Sequence, residues 1–426
     1  MRFLPLLFLP AALYQLLAIA GGLLHLLRRS PQSGQWSGNR GQGSEPKLPG
    51  GDSTAFWAPS PDPCPRTTDL CPLTSVSVLK PVHGLDPDTP GAFRSQAAQD
   101  YPCFELLFGV KEANDPAIAE IARLKAEFPN ARIRLLVGGD EGRNGKVGLL
   151  RMLARHAQHP IWVVNDSDIR VSPSYLREVV APLERSSIGL VTCLYRPVPH
   201  SLPAAWEALG IATDFIPSTL VAPMLGVREF GLGSTLAFRA DDLAEAGGFA
   251  AISDYIADDY QLGRNIAKLG KRAVLSTYVV ETSLGDDTWE GVWQHQLRWA
   301  RTIRLSKGKA YAGLPITHAG LWACLAMLAC WAWPAPVMWP LPVIWIAPIL
   351  VALRWLSALI TGWLVLRSPI ALAGFVLTPI WDLFASVVWL SSYLSNRVEW
   401  RGRTFEIGPD GRILTPEITP VESSMD

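Results

Sequence analysis

Between Leu314 and Leu394 only Arg354, Arg367 and Asp382 carry charge. A run that long and that apolar constrains the fold more than anything else in the chain, because it needs lipid around it. Pro334, Pro336, Pro340, Pro342 and Pro348 break its first half, and about three spans fit, roughly 316–334, 342–366 and 371–394. At the other end Phe3 to Leu27 is almost wholly apolar and long enough to cross a bilayer. Ala18-Ile19-Ala20 resembles a cleavage site, so a secretory signal peptide is the competing reading. Arg2 before the run and Arg28-Arg29 after it favour a retained anchor, with the domain that follows in the cytoplasm. Arg397, Arg401 and Arg403 favour a cytoplasmic tail as well, whereas one anchor plus three spans would put that tail outside. A re-entrant or interfacial first segment resolves the conflict.

Composition adds exclusions. The hydrophobic share of 49% and the 17 Trp are concentrated at the two ends. A formal net charge of zero gives no case for nucleic acid as a partner. The six Cys show neither a pairing framework nor the Cys-x2-Cys spacing of structural zinc. Residues 30–74, rich in Pro, Gly and Ser without an apolar period, read as a disordered linker.

From Ser75 the pattern changes. Ser75–Leu79, Glu105–Val110, Ala131–Val137, Ile161–Asn165 and Gly189–Leu194 read as strands, the first ending at Lys80-Pro81. Helical periods separate them at Pro116–Phe128, Lys146–His156 and Pro173–Leu183. Alternation of this kind predicts a mainly parallel, doubly wound α/β sheet. Residues 201–230 read as short helices against the membrane surface, 231–238 as a glycine turn into a strand, and Trp289–Arg304 as a helix.

Two acidic motifs fall at places where such a sheet binds ligands. Asp166 and Asp168 sit at i and i+2 where the apolar strand Ile161–Val164 ends, and ligands bind beyond the carboxyl ends of strands. Close carboxylates there need a cation or a shared proton to offset their repulsion. A solvated turn with two aspartates reads the same in isolation. Asp258-Asp259-Tyr260 opens a helical period; carboxylates are favoured at a helix start by the dipole alone, and a catalytic base uses the same placement. His295, Arg298 and Trp299 at i, i+3 and i+4 share one face of their helix, with Arg301, Arg304, Lys307 and Lys309 continuing a basic stripe suited to anionic lipid headgroups.

The ordered set of motifs resembles the ceramide glucosyltransferases and their bacterial relatives, glycosyltransferase family 21. It comprises Lys80-Pro81, Asn114-Asp115-Pro116-Ala117, Asp166-Ser167-Asp168-Ile169-Arg170-Val171, Ala257-Asp258-Asp259-Tyr260 and Arg298-Trp299, and it spans about residues 75–312. Val191–Arg196 and His295–Arg304 look most like the bacterial hopanoid-biosynthesis branch, which is associated with transfer of N-acetylglucosamine from its UDP form to bacteriohopanetetrol.

What the resemblance implies is a GT-A type, Rossmann-like nucleotide-sugar glycosyltransferase domain flanked by one N-terminal and about three C-terminal transmembrane segments. The division is then an anchor over 1–29, a linker over 30–74, a catalytic domain over 75–312, a membrane region over 313–396 and a tail over 397–426, mostly irregular after 404. By position, Asp259 is the expected base, and Arg298 and Trp299 fit the membrane-proximal catalytic motif. Asp115 is expected near the uracil and ribose. Lys146, Asp166, Asp168, Asp258 and His295 complete the UDP-sugar site, with Asp166 and Asp168 holding a divalent cation, Mg2+ or Mn2+. Relatives often carry Gln or Arg where His295 stands. The implied partners are a UDP-sugar, a membrane lipid acceptor and the bilayer, the setting a bacterial inner membrane with the catalytic domain in the cytoplasm. A processive polysaccharide synthase shares the domain but usually needs more spans; a non-catalytic sugar-nucleotide binder would have no use for so many acidic residues.

Overall fold

The computed structural model describes residues 4–29, 74–140, 142–285, 288–332, 338–339, 341–400 and 403–417; all of the expected linker but Thr74 lies outside them. Seven strands form the central sheet: β1 Val76–Val82, β2 Phe104–Val110, β3 Ile133–Val137, β4 Ile161–Val164, β5 Ile188–Val198, β6 Leu236–Arg239 and β7 Arg272–Ser283, in the order β3-β2-β1-β4-β6-β5-β7. β1 is buried at every position because it is central and covered on both faces, which is why it reads as a continuous run rather than an alternation. It continues past the expected stop at Lys80-Pro81 to Val82, paired with β2 throughout. β1 to β4 run parallel, as does β5 with β7, but β6 is antiparallel to both neighbours, so the sheet is mixed rather than doubly wound throughout. The helices Ala117–Glu127 and Gly145–Ala154 follow β2 and β3, as expected for crossovers.

Among the described residues three helices are long and apolar enough to cross a bilayer: Leu6–Arg28, Ile346–Val365 and Pro369–Ser392. A fourth unit, Trp289–Thr317 with Ala319–Ala332, bends by 59° at its break. A bend of this kind fits a broken span and a re-entrant loop alike.

Residues 202–224 are helical from end to end, with a wide turn at Ile211–Phe215 between Leu202–Gly210 and Ile216–Met224. Rather than resting only on a surface, this helix packs into the apolar bundle. Tyr14 Oη lies 2.8 Å from Ser218 Oγ, Arg354 donates to the Thr213 carbonyl at 2.6 Å, and a Cβ on Gly210 would sit 1.9 Å from the Trp381 ring.

The sequence reading also fails at the C-terminus and at one cysteine, and it missed β7. Arg397–Trp400, Arg403–Ile407 and Ile413–Glu417 form a three-stranded antiparallel sheet, not an irregular tail. Its apolar face, Val398, Phe405, Ile407 and Ile413, packs on Ile256 and Leu305 of the preceding domain. Cys103, read as part of no pairing framework, is disulfide-bonded.

Candidate active site

The acidic motifs meet at the carboxyl end of β4. Asn165, fully buried, donates from its side-chain amide to Tyr175 Oη at 2.7 Å and to the Ser234 carbonyl at 3.0 Å, which joins the end of β4 to the glycine turn before β6. The following carbonyl, of Asp166, accepts from the buried Lys80 ammonium at 2.9 Å. With main-chain and side-chain ties on both sides, the Asp166–Asp168 turn is fixed to the sheet.

Lys146 comes in from the helix Gly145–Ala154. Asn144 caps that helix, its side chain accepting from the amides of Lys146 and Val147 at 3.0 and 3.2 Å. Lys146 Nζ stands 2.7 Å from Asp166 Oδ1 and 3.3 Å from Asp258 Oδ2. A cation in the first helical turn opposes the dipole. Burial would lower this ammonium further, yet the surrounding Asp166, Asp258 and Asp259 overcome it and raise its pKa.

Asp258 and Asp259 begin the helix Asp258–Lys268. Asp259 Oδ2 accepts the Gly233 amide at 2.9 Å and Oδ1 accepts the Tyr260 amide at 2.7 Å. A Cβ on Gly233 would lie 2.9 Å from Asp166 Oδ2 and 3.6 Å from Asp259 Oδ2, so the missing side chain is what lets the carboxylates converge here. Burial and the adjacent Asp258 push the Asp259 carboxyl up to about 6, against the pull of Lys146.

Asp168 accepts from the Thr282 hydroxyl of β7. Burial, then Asp166, raise its pKa, and burial brings Lys80 down to about 8. The cleft thus has more negative charge than its lysines offset. Among the described residues no group of three His, Cys, Asp or Glu stands ready for a metal. The donor set still fits a hard divalent ion: Asp166 keeps 42% of its side chain exposed beside the under-compensated Asp168, and Mg2+ commonly takes one or two carboxylates with the remaining ligands from phosphate and water.

The other expected residues lie around this centre rather than in it. Asp115, beyond the end of β2, accepts the amides of Gly84 and Ala117 at 3.0 and 2.9 Å and so braces the loops after β1 and β2. On the helix Trp289–Lys307, His295 Nδ1 lies 2.7 Å from Glu207 Oε1, and Gln296 Nε2 donates to the same oxygen at 2.7 Å. Trp299 packs against the His295 and Phe215 rings, 5.0 and 5.5 Å between centroids, and Phe215 against Tyr195 at 5.7 Å. Arg298, between them in sequence, is partly buried. Glu207 and Tyr195 were not anticipated. Glu207 left a signal, as the one charge between Leu202 and Thr213. Tyr195 left none: it is the Asp259 and Glu207 carboxylates, after burial, that raise its hydroxyl pKa, showing that it stands in the field of both groups.

Against known proteins, the chain is 29% identical over 210 residues to ceramide glucosyltransferase 1 of Caenorhabditis elegans, across 48% of this chain and 45% of that relative. It is 32% identical over 119 residues to the ceramide glucosyltransferase of Komagataella phaffii, across 27% and 23%. The chain therefore matches less than half the length of these relatives. Among solved structures, it is similar to a mannosyltransferase of Pyrobaculum calidifontis in complex with GDP-Man and Mn2+ (18% identity, 88% of this chain and 99% of that one, TM-score 0.43). Glucosyl-3-phosphoglycerate synthase of Mycobacterium tuberculosis, in complex with Mn2+, UDP and glucosyl-3-phosphoglycerate, gives 18%, 50% and 72%, and a TM-score of 0.34. The model of glycosyl transferase family 21 matches residues 53–413, and the chain belongs to that family.

Proposed function

We propose that the chain is a membrane-bound inverting glycosyltransferase that moves a sugar from a UDP-sugar to the hydroxyl of a membrane lipid. The observation that carries this reading is the convergence of Lys146, Asp166, Asp258 and Asp259 beyond the carboxyl end of β4, with the Asp259 carboxyl raised to about 6. A carboxyl group near 6 is ionised at pH 7 yet basic enough to take a proton.

In this mechanism Lys146 and Arg298 face negative charge developing on the departing diphosphate. Asp166 and Asp168 would hold a divalent cation, which when bound supplies further neutralisation of that diphosphate. Asp259, kept in place by the Gly233 and Tyr260 amides, accepts the proton of the lipid hydroxyl as its oxygen attacks the anomeric carbon. A single displacement inverts the configuration, so an α-linked donor gives a β-linked product. The apolar helices let a lipid acceptor approach without leaving the bilayer, and a cytoplasmic orientation puts the site where UDP-sugars are made.

For the sugar and lipid, the motif resemblance supports N-acetylglucosamine and bacteriohopanetetrol in a bacterial inner membrane. The names of the curated relatives favour glucose and ceramide as the second reading. Membranes containing the full chain, incubated with labelled UDP-N-acetylglucosamine or UDP-glucose and each lipid in turn, separate the two. A labelled lipid-linked monosaccharide supports the proposal. A polymer means a processive synthase, and no transfer with intact donor binding means a binder.

A further inference from the structure

The segments that carry the proposed chemistry are far apart in sequence: the loop before Lys146, the stretch before Asp258, and the helix Trp289–Lys307. All three are joined by the sheet that follows the last apolar helix. The Ile413 amide donates to the Asp254 carbonyl at 2.7 Å, and the Ile256 amide to the Gly411 carbonyl at 3.4 Å. Arg143 donates from its guanidinium to the Ile413 carbonyl at 2.6 Å. Arg412 donates to Tyr255 Oη at 3.0 Å, its guanidinium 5.2 Å from the ring centroid. On the other side Arg301 donates to the Arg397 carbonyl at 2.7 Å, and Arg304 to the Ser395 carbonyl and Asn396 Oδ1 at 3.0 and 2.6 Å. Ile256 and Leu305 close an apolar cluster with the sheet beneath these bonds.

These contacts fall on the segments that carry the groups of the cleft, two to six residues from them. Asp258 follows Ile256 by two positions. Asn144, next to Arg143, caps the helix of Lys146 and binds the loop directly, its amide donating to the Ser253 carbonyl at 3.0 Å and its side chain to the Tyr255 carbonyl at 2.8 Å. Carboxylates brought this close repel, and without a rigid backing their loops would splay. The three-stranded sheet in turn buries its apolar face against Ile256 and Leu305.

We propose that the C-terminal sheet is a positioning element of the active site: Ile413, with Arg143 and Arg412, clamps the 253–257 loop so that Lys146 and the Asp258-Asp259 pair face Asp166. The kinetic part of this inference rests on the glycosyltransferase reading above; the clamp itself does not.

The test uses the full chain in lipid nanodiscs and two readouts, hydrogen exchange at residues 144–147 and 254–259, and donor kinetics. Ile413→Pro removes the amide bonded to Asp254, while Ile413→Val keeps it. Arg143→Ala removes an exposed guanidinium without touching the core, so it leaves the fold intact, and Arg143→Lys restores a donor. Ile413→Pro and Arg143→Ala should raise exchange in both segments and lower kcat by about 10- to 100-fold, with donor KM changed by less than about 3-fold. The conservative variants should behave like the parent. Unchanged exchange in the two segments overturns the clamp, and raised exchange with intact kcat overturns its positioning role. A parent chain that transfers no sugar to any lipid sinks the functional reading instead, and exchange alone then decides the clamp.

Discussion

Two places in this molecule bury opposite charges together, and they do so differently. In the apolar bundle, Arg354 and Asp382 are 2% and 0% exposed. Arg354 donates from Nε and Nη2 to Asp382 at 2.8–3.0 Å and from Nη1 to the Thr213 carbonyl at 2.6 Å; Asp382 also accepts the Gly320 amide at 2.8 Å. The two groups bond each other directly and the remaining directions are taken by backbone, with the Asp214 carboxylate also in the field of Arg354. In the cleft Lys146 contacts both Asp166 and Asp258, Lys80 stands by Asp166 and Asp168 with its charge disfavoured by burial, and Asp168 and Asp259 are driven toward their neutral forms. Among the described residues the bundle pair closes on itself, whereas four aspartates of the cleft share the ammonium groups of Lys146 and Lys80. Completeness belongs to structure; a standing deficit of one sign is what a site keeps for its ligand.

The sharpest way to break this contrast is to remove half of the complete pair. Arg354→Met leaves Asp382 buried without a counter-charge and should cost about 3–5 kcal/mol of stability. Arg354→Met with Asp382→Leu should recover most of it, because apolar groups of similar size tolerate the same position. Resistance to thermal unfolding in nanodiscs measures both. A single variant as stable as the parent would mean that the pair is not held as described.

The corresponding change in the cleft should act on rate, not fold. Asp259→Asn should lower lipid transfer by about 10²-fold or more while donor binding stays near normal. In the parent, the acid limb of kcat should fall near pH 6, where Asp259 takes up its proton. The stability sign is opposite to that of a salt-bridged carboxylate. The folded-state pKa of Asp259 lies above its ordinary value, so its contribution is present below that ordinary value and lost as pH rises through about 6. The Asn variant should therefore be no less stable than the parent at pH 7.5. Asp258→Asn, which loses the contact with Lys146 at 3.3 Å, is the control. Equal and modest losses of transfer in both variants would move the base elsewhere.

Legibility in the sequence followed the same divide. Strands β1 to β5 were readable because short apolar runs bounded by Pro, Gly and Asp admit little else. The acidic motifs were readable because they fall at strand and helix ends, where charge is cheap locally and useful chemically. What connects distant segments was not. The insertion of β6 against β4 depends on Asn165 reaching Ser234, which no periodicity encodes. Lys146 was found only by resemblance, and its double contact with Asp166 and Asp258 required the fold. The C-terminal sheet did leave a trace: Val398, Trp400, Phe405 and Ile407 alternate with polar residues at the period of a strand. Its arginines drew attention to topology instead.

A smaller effect separates the two carboxylates of the Asp166 motif. Asp168→Asn keeps an acceptor for Thr282 and removes a charge that burial already disfavours, so the fold should be unaffected. Donor use should weaken by at least about 10-fold, the scale for disturbing a metal site, and the optimum divalent concentration should rise. Parent activity that persists in excess chelator would take the cation out of the mechanism, and the charge deficit would then belong to the donor and Lys146 alone.

The smallest change tests whether the cleft is packed like the bundle. Gly233→Ala adds one methyl group 2.9 Å from Asp166 Oδ2. The Gly233 backbone is not among the positive-φ glycines, so alanine meets no conformational penalty there. The atom it meets is the end of a carboxylate whose side chain is 42% exposed and can rotate away. The cost should be at or below about 1 kcal/mol, the low end for overpacking. Movement of Asp166 would lengthen its 2.7 Å contact with Lys146 and shift a proposed cation ligand, raising donor KM by roughly 3-fold, an energy well under that scale. Asp259 Oδ2, 3.6 Å from the new methyl, is in ordinary contact and should keep both its amide bonds and its pH limb. A loss of stability as large as that of Arg354→Met would show the cleft to be as tightly determined as the bundle, and the distinction between a completed pair and an open deficit would fail.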